Sequence, residues 1–271
     1  MFTSQQLKRT HLPASSHTIS LYITHLHTNL NLKGVTIRTH LSAIAYYHQM
    51  AGHHSPTEGF IIEKLLLSYS KQDSSPKTRR SITPNILEQL IQSIKTSEKT
   101  NYTKQLFTAL FCIMFHALLR CSEVTKSKNT NHNLKSNQIN LSKSKRSIRV
   151  AFTSFKHSKP NPSPLKIKEN RQISCPVHAW KQYAAIRNTA ADTFFCHPDG
   201  KPLARNYVVQ MLKKHLAITN HCKHDYNTHS FRIGKATAMA KAGHSHSQIA
   251  LAGRWSSNAF LKYIKPSHVS I

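Results

Sequence analysis

His229 to Tyr263 reads HSFRIGKATAMAKAGHSHSQIALAGRWSSNAFLKY, and this stretch decides the fold. It is nearly all helix by pattern, with Gly243 and Gly253 as punctuation. His229 and Arg232 stand as H-x-x-R at a helix start, followed by Gly253-Arg254-Trp255-Ser256 and then Tyr263. Upstream, Ala117-Leu118-Leu119-Arg120-Cys121-Ser122-Glu123 puts an arginine at the end of an apolar helix, with a glutamate three residues later. Between the two lies SIRVAFTSFKHSKPNPSPLKIKE, residues 147–169. Here Ile148, Val150 and Phe152, then Leu165 and Ile167, alternate with polar residues as hairpin strands do. Lys156 and Lys159 fall in that hairpin, near its tip.

These side chains together meet the needs of phosphodiester cleavage. A weak nucleophile must attack phosphorus, charge on the non-bridging oxygens must be stabilised, and the departing alkoxide must be protonated. Arg120 and Arg232 offer planar, permanently charged forks that match phosphate oxygens. His229 and the indole N–H of Trp255 can complete an electrostatic cradle. Lys156 is a candidate acid for the leaving oxygen, with Lys159 as the alternative. Tyr263 can form a covalent phosphoester that conserves the bond energy for rejoining.

The composition names the polymer. Lys and Arg number 38 against 10 Asp and Glu, a formal net charge of +28 over 271 residues. A chain this cationic repels itself unless a polyanion neutralises it, so nucleic acid is the expected partner. The basic residues spread along the whole chain, which argues against a single membrane-surface helix. The run KSKNTNHNLKSNQINLSKSKRS, residues 126–147, reads as phosphate-backbone contact, which positions without specifying sequence.

The rest of the chain supplies the frame. Residues from about Ser16 to Ser70 read as helices, with Ile37, Leu41, Ile44 and Tyr47 at three- and four-residue spacings and Thr36 as a candidate N-cap. Residues 72–85, QDSSPKTRRSITPN, are polar, basic and without apolar period, and read as a linker. The expected division is a helical DNA-binding module over 1–78 and a larger domain over 79–271. In the latter, NYTKQLFTALFCIMFHALLRCSEVTKS and CPVHAWKQYAAIRN read as helices, and TFFCHPDGKPLARNYVVQMLKKHL as a short strand, a turn and a helix. The fold class expected is mainly α with one small antiparallel sheet.

No run approaches the roughly 20 apolar residues of a membrane span, and the N-terminus lacks the apolar middle of a secretory signal. Five cysteines with no C-x-x-C pair fit reduced thiols, so a nuclear or cytoplasmic protein is expected. The cluster His221, Cys222, His224 and His229 has zinc-compatible side chains without the paired spacing of a zinc site, and no metal or cofactor is assigned.

The order R-x-x-E, hairpin lysine, H-x-x-R, G-R-W and tyrosine resembles the tyrosine recombinase, or phage integrase, superfamily over roughly Ser81 to Pro266. GRWSSNAFLKYIKPS and SFKHSKPNP are most similar to the recombinases of eukaryotic tyrosine-recombinase retrotransposons and related mobile elements. The resemblance implies a SAM-like helical core-binding domain ahead of the catalytic domain, and a tetramer acting on two double-stranded DNA sites. It implies that Arg120 and Arg232 bind the scissile phosphate, that Lys156 is the general acid and that His229 is an acid/base or phosphate ligand. Trp255 would stand where bacterial members commonly have a second histidine, Tyr263 would attack, and Glu123 would place Arg120. With the chain ending at Ile271, a C-terminal exchange helix would be short.

Each feature alone has an ordinary explanation. Tyr263 fits an amphipathic helix, R-x-x-E a surface pair, and Trp255 a core position. Their joint order on a chain of this charge is what favours the site. Two other functions share the pattern: a domesticated DNA-binding protein that no longer cleaves, and a type IB topoisomerase acting without strand exchange.

Overall fold

The structure is a computed structural model that describes residues 12–73, 79–126, 133–152 and 164–264. It divides into two compact units, Met1–Lys77 and Thr78–Ile271. The first holds α1 (Ser16–Thr28), α2 (Gly34–Met50) and α3 (Phe60–Gln72). Ile19, Ile23, Leu26, Ile37, Leu41, Ile62 and Leu66 form its core, one stripe from each helix. Ser15 caps α1 by accepting from the Thr18 amide at 3.1 Å. Thr36, expected to cap α2, lies inside the helix. The helix opens two residues earlier at Gly34, whose amide donates to Asp73 Oδ2 at 2.7 Å. A carboxylate brought back from the end of α3 does the capping, which a local pattern does not reveal. Tyr47, read as part of the apolar stripe, is 65% exposed.

The second unit is built around α5 (Asn101–His116), in which every residue from Leu106 to Phe115 is buried. A helix apolar on all sides must be surrounded, and α4 (Pro84–Ser97), α6 (Pro176–Ala184) and α8 (His229–Lys241) pack on it. Pro84 occupies the first turn of α4, with the Thr83 hydroxyl accepting from the Ile86 amide at 3.2 Å. α7 (Arg205–Ile218) packs on α4, and Ser93 of α4 meets the buried His215 of α7 at 2.8 Å. The sheet is antiparallel in the order β1-β2-β3, with β1 Ile139–Leu141, β2 Ser147–Val150 and β3 Leu165–Lys168. Ile148 faces Ile167, so the alternation in residues 147–169 is that of a hairpin, and β1 adds a strand that its three residues were too short to announce.

The segment read as a linker is partly built into this unit. Ile82 is fully buried, its amide donates to the Ser230 carbonyl at 3.0 Å, and the Arg80 amide donates to the Asp225 carbonyl at 2.9 Å. Gly234 permits the approach: a Cβ there would stand 1.7 Å from the Ile82 carbonyl oxygen. The expected TFFC strand reduces to single pairings, Lys135 with Thr193 and Cys196 with Pro202. Among the described residues, no helix is long and apolar enough to cross a membrane.

Candidate active site

The site begins where α5 stops. The helix ends at His116, short of the expected Arg120, because Leu118 takes a left-handed backbone (φ 47°). That conformation costs a bulky residue about 1–2 kcal/mol, so its neighbours must hold it. They do. The Leu118 side chain is fully buried against Ala236, Ile249 and Phe260, and its carbonyl is turned toward two arginines. Arg232 donates from Nη1 to the Leu118 carbonyl and from Nη2 to the Gly253 carbonyl at 3.1 Å. Arg254 donates to the carbonyls of Ala117 (3.0 Å) and Leu118 (3.4 Å).

After the reversal, Arg120 opens a short helical turn, Cys121–Glu123. Its amide donates to Glu123 Oε2 at 2.7 Å and its Nη1 to Oε1 at 3.1 Å. Glu123 is 1% exposed, so this R-x-x-E pair is a buried brace and not a surface pair. Arg254 Nη2 reaches Glu123 Oε2 at 2.9 Å, completing an Arg–Glu–Arg group around one carboxylate. Arg254 stands within the G-R-W motif, whose sequence pattern gives it no role. The signal available was a positive charge following an apolar helix that ends in glycine.

α8 supplies the opposite wall. His229 is its first residue, and one turn on, Arg232 is fully buried. α9 (His246–Gly253) ends not on Gly253, the expected punctuation, but on Arg254 in the left-handed region (φ 55°). Gly253 serves proximity instead, since a Cβ there would lie 1.7 Å from the Trp255 ring. The ring lies over the Arg232 guanidinium at 4.5 Å. Trp255 was expected to donate from its indole to a phosphate; in this arrangement its face braces Arg232. The Tyr263 ring is 5.6 Å from the same guanidinium and 5.1 Å from the Trp255 ring. Thr237 Oγ1 donates to the Tyr263 carbonyl at 3.1 Å, fixing the tight helical segment Asn258–Tyr263 against α8.

The Tyr263 hydroxyl and His229 Nε2 are 3.3 Å apart. His229 is pushed down to about 4, first by burial and then by the charges of Arg232, Arg79, Arg120 and Arg205. At neutral pH it is an uncharged ring able to accept the phenol proton. Arg232 is pushed down to about 10, by burial and then by Arg120, and stays charged. Arg120, His229, Arg232, Trp255 and Tyr263 thus converge. Lys156 and Lys159 lie in residues 153–163, outside the described residues. In the histidine-rich loop, His221 Nε2 is engaged by Gln89 at 2.8 Å.

An always-charged fork, a neutral imidazole and a phenol share one corner, a grouping chemically able to support phosphoryl transfer to tyrosine. Residues 80–265 match the phage integrase family, and the chain belongs to that family. Residues 80–265 are accordingly those of a tyrosine-type DNA breaking-rejoining enzyme. No curated protein matches the chain by sequence. Among solved structures it is similar to the XerH site-specific recombinase bound to palindromic difH substrate in a post-cleavage complex. The identity is 15%, covering 94% of this chain and 69% of that one, with a TM-score of 0.66. It is also similar to the Tn1549 transposon integrase in complex with circular intermediate DNA, at 16% identity over 96% of this chain and 86% of that one, TM-score 0.65. A lambda integrase dimer bound to a COC′ core site shares 12% identity over 94% and 65%, TM-score 0.55. At these identities the likeness is one of fold: a helical N-terminal domain followed by an α-rich domain with a three-stranded antiparallel sheet.

Proposed function

We propose that this chain is a site-specific recombinase or integrase that cuts and rejoins double-stranded DNA through a 3′-phosphotyrosine at Tyr263. The observation that carries the reading is the 3.3 Å approach of the Tyr263 hydroxyl to His229 Nε2, beside a buried and charged Arg232. Neutral His229 accepts the phenol proton as the Tyr263 oxygen attacks phosphorus. Arg120 and Arg232 hold the non-bridging oxygens as charge develops on them. Lys156, or Lys159 three residues on, protonates the departing 5′ oxygen. A 5′-hydroxyl from a second strand then reverses the sequence, freeing Tyr263 with its proton restored. The bond energy is conserved in the phosphotyrosine, so a nucleotide cofactor has no part in this scheme.

Exchange between duplexes calls for four active sites, and a tetramer on two DNA sites is the assembly proposed. The likeness of residues 253–267 and 154–162 to recombinases of eukaryotic tyrosine-recombinase retrotransposons supports an origin in a mobile element and action in the nucleus. The similar structures are a site-specific recombinase bound to difH substrate and a transposon integrase in complex with circular intermediate DNA, which accords with this reading.

Covalent trapping tests it. The full chain is incubated with a library of nicked duplexes at low salt, denatured in detergent and examined for protein-linked DNA beside Tyr263→Phe. An adduct with the wild type alone identifies the nucleophile, and sequencing the trapped DNA gives the target. Tight binding with no adduct from either protein would favour a domesticated DNA-binding protein. Relaxation of supercoiled DNA by a monomer without sequence preference would favour a topoisomerase. Lys156→Ala and Lys159→Ala are told apart by a 5′-bridging sulfur at the scissile position, a leaving group needing no acid. Only the variant lacking the acid is rescued.

A further inference from the structure

Arg79 and Arg205 make none of the ion pairs that engage the neighbouring arginines. Arg80 pairs with Asp225 at 3.1 Å, while Arg120 and Arg254 share Glu123. Arg79 and Arg205 are both exposed, and neither has a carboxylate partner among the described residues. Both are nonetheless held close to the catalytic corner. The Arg80 amide is tied to the Asp225 carbonyl and the Ile82 amide to the Ser230 carbonyl, which lays segment 80–82 along the approach to α8. Arg80 turns to Asp225, and the charge of the adjacent Arg79 acts on His229. Arg205 opens α7, whose N-cap Ala204 offers no side-chain acceptor, and the preceding Leu203 carbonyl is tied to the Lys126 amide just beyond the Arg120 turn. Both charges are felt at His229, and that of Arg205 also at Cys121.

The surroundings are therefore overcharged for a single scissile phosphate. Arg79, Arg120, Arg205, Arg232 and Arg254 gather about His229 and Tyr263, while Glu123 and Asp225 are already engaged by Arg254, Arg120 and Arg80. One phosphodiester carries one negative charge, which Arg120 and Arg232 suffice to meet. We infer that Arg79 and Arg205 bind the DNA phosphates flanking the scissile one, from two separate chain segments, and so fix the register in which the strand meets Tyr263. They are positioning residues and do not touch the reacting atoms. The inference rests on the recombinase reading of the site.

Two measurements decide it. The first is the salt dependence of non-covalent duplex binding by the full chain carrying Tyr263→Phe, which requires no cleavage. Adding Arg79→Gln or Arg205→Gln should each lower the slope of log affinity against log salt by about 0.9. The second uses the duplex recovered by trapping, with single uncharged methylphosphonates at the phosphates flanking the scissile one. Neutralising the contacted phosphate should slow wild-type adduct formation about ten- to a hundredfold, as loss of a charge-assisted hydrogen bond does. The matching glutamine variant should be slow already and lose nothing more from that substitution. Unchanged slopes, or equal sensitivity of wild type and variants to every methylphosphonate, would overturn the inference. A wild type that forms no adduct with any duplex counts instead against the recombinase reading, and the slopes still decide whether the two arginines hold phosphates.

Discussion

Arg232 and Arg254 meet at the same Leu118 carbonyl and are neutralised in opposite ways. Arg254 gives Nη2 to Glu123, so its charge is matched by a carboxylate that Arg120 shares. Arg232 receives only two carbonyl dipoles and the faces of Trp255 and Tyr263, and its Nε has no partner among the described residues. A buried guanidinium matched by a carboxylate has little attraction left for a further anion, whereas one held by dipoles and rings keeps it. Arg120, which gives Nη1 to the same Glu123, has a side chain 20% exposed against 9% for Arg254 and so remains accessible to a phosphate. The same residue type in one cradle thus serves as scaffold at Arg254 and, in the proposed reaction, as phosphate contact at Arg232. The strained left-handed backbone at Leu118 is where the two sides join.

The largest expected effect falls on the scaffold side. Glu123→Ala leaves the nearly buried Arg254 charge without its acid and removes the acceptor for the Arg120 amide. Stripping one partner from a buried ion group costs about 3–5 kcal/mol. For a unit of this size that is a fall in melting temperature on the order of 10 °C. Calorimetry checks it, and a melt like that of the wild type would remove the distinction between the two arginines. Arg232→Lys probes the other side. It keeps a positive charge but loses the planar fork, so adduct formation should fall about 10²- to 10³-fold, the range for loss of one preorganised donor. Its melting point should drop by less than that of Glu123→Ala. The reverse ranking would mean that Arg232 is the scaffold.

A smaller effect comes from the contact that holds the Trp255 ring over Arg232. A Cβ at residue 253 would stand 1.7, 2.1 and 2.4 Å from three ring carbons, so Gly253→Ala must displace the indole. Overpacking of this kind costs about 1–3 kcal/mol. Tryptophan fluorescence should shift and adduct formation should slow, while Trp255→Phe, which keeps a face for Arg232, should lose less. If the alanine variant cleaves like wild type, the stacked ring has no part in holding the arginine.

The residues that converge at the Tyr263 corner were legible in sequence because each is announced by a local pattern: H-x-x-R at a helix start, an arginine after an apolar helix, a tyrosine on the last helical turn. The hairpin was legible because Ile148, Val150, Leu165 and Ile167 alternate and pair in register. What escaped depends on contacts across the chain. The cap of α2 comes from Asp73, 39 residues away, and the brace on Glu123 from Arg254, 131 residues away. The end of α5 at His116 rests on a left-handed leucine that no propensity suggests and that only its buried neighbours hold. Residues 79–82, Ile82 included, fall in the 72–85 stretch that reads as linker because it is polar, basic and without apolar period. That isoleucine meets a glycine on α8, and the pairing shows only once the helix is in place.

The finest test concerns protons at the Tyr263 corner. Four guanidinium groups face His229, from Arg232 on its own helix and from Arg79, Arg120 and Arg205 on other segments, with the Tyr263 hydroxyl opposite. Burial and these charges bring it down to about 4 from an ordinary 6.5. The folded chain therefore refuses a proton that the unfolded chain accepts between those values. The associated stability is fully present above pH 6.5 and declines as pH falls toward 4. In the free protein, NMR of the His229 ring should show no titration near 6.5 and a midpoint near 4. Duplex binding should move that midpoint up, because phosphates offset the arginine charges, and Arg79→Gln or Arg205→Gln should move it up without DNA. A free-protein midpoint at 6.5 would mean that the arginine charges do not reach the ring, and that Tyr263 lacks a neutral acceptor below neutral pH. A low midpoint that rises on DNA would mean that the substrate itself readies the base: the phosphate that Tyr263 attacks also relieves the charge that kept His229 from holding a proton.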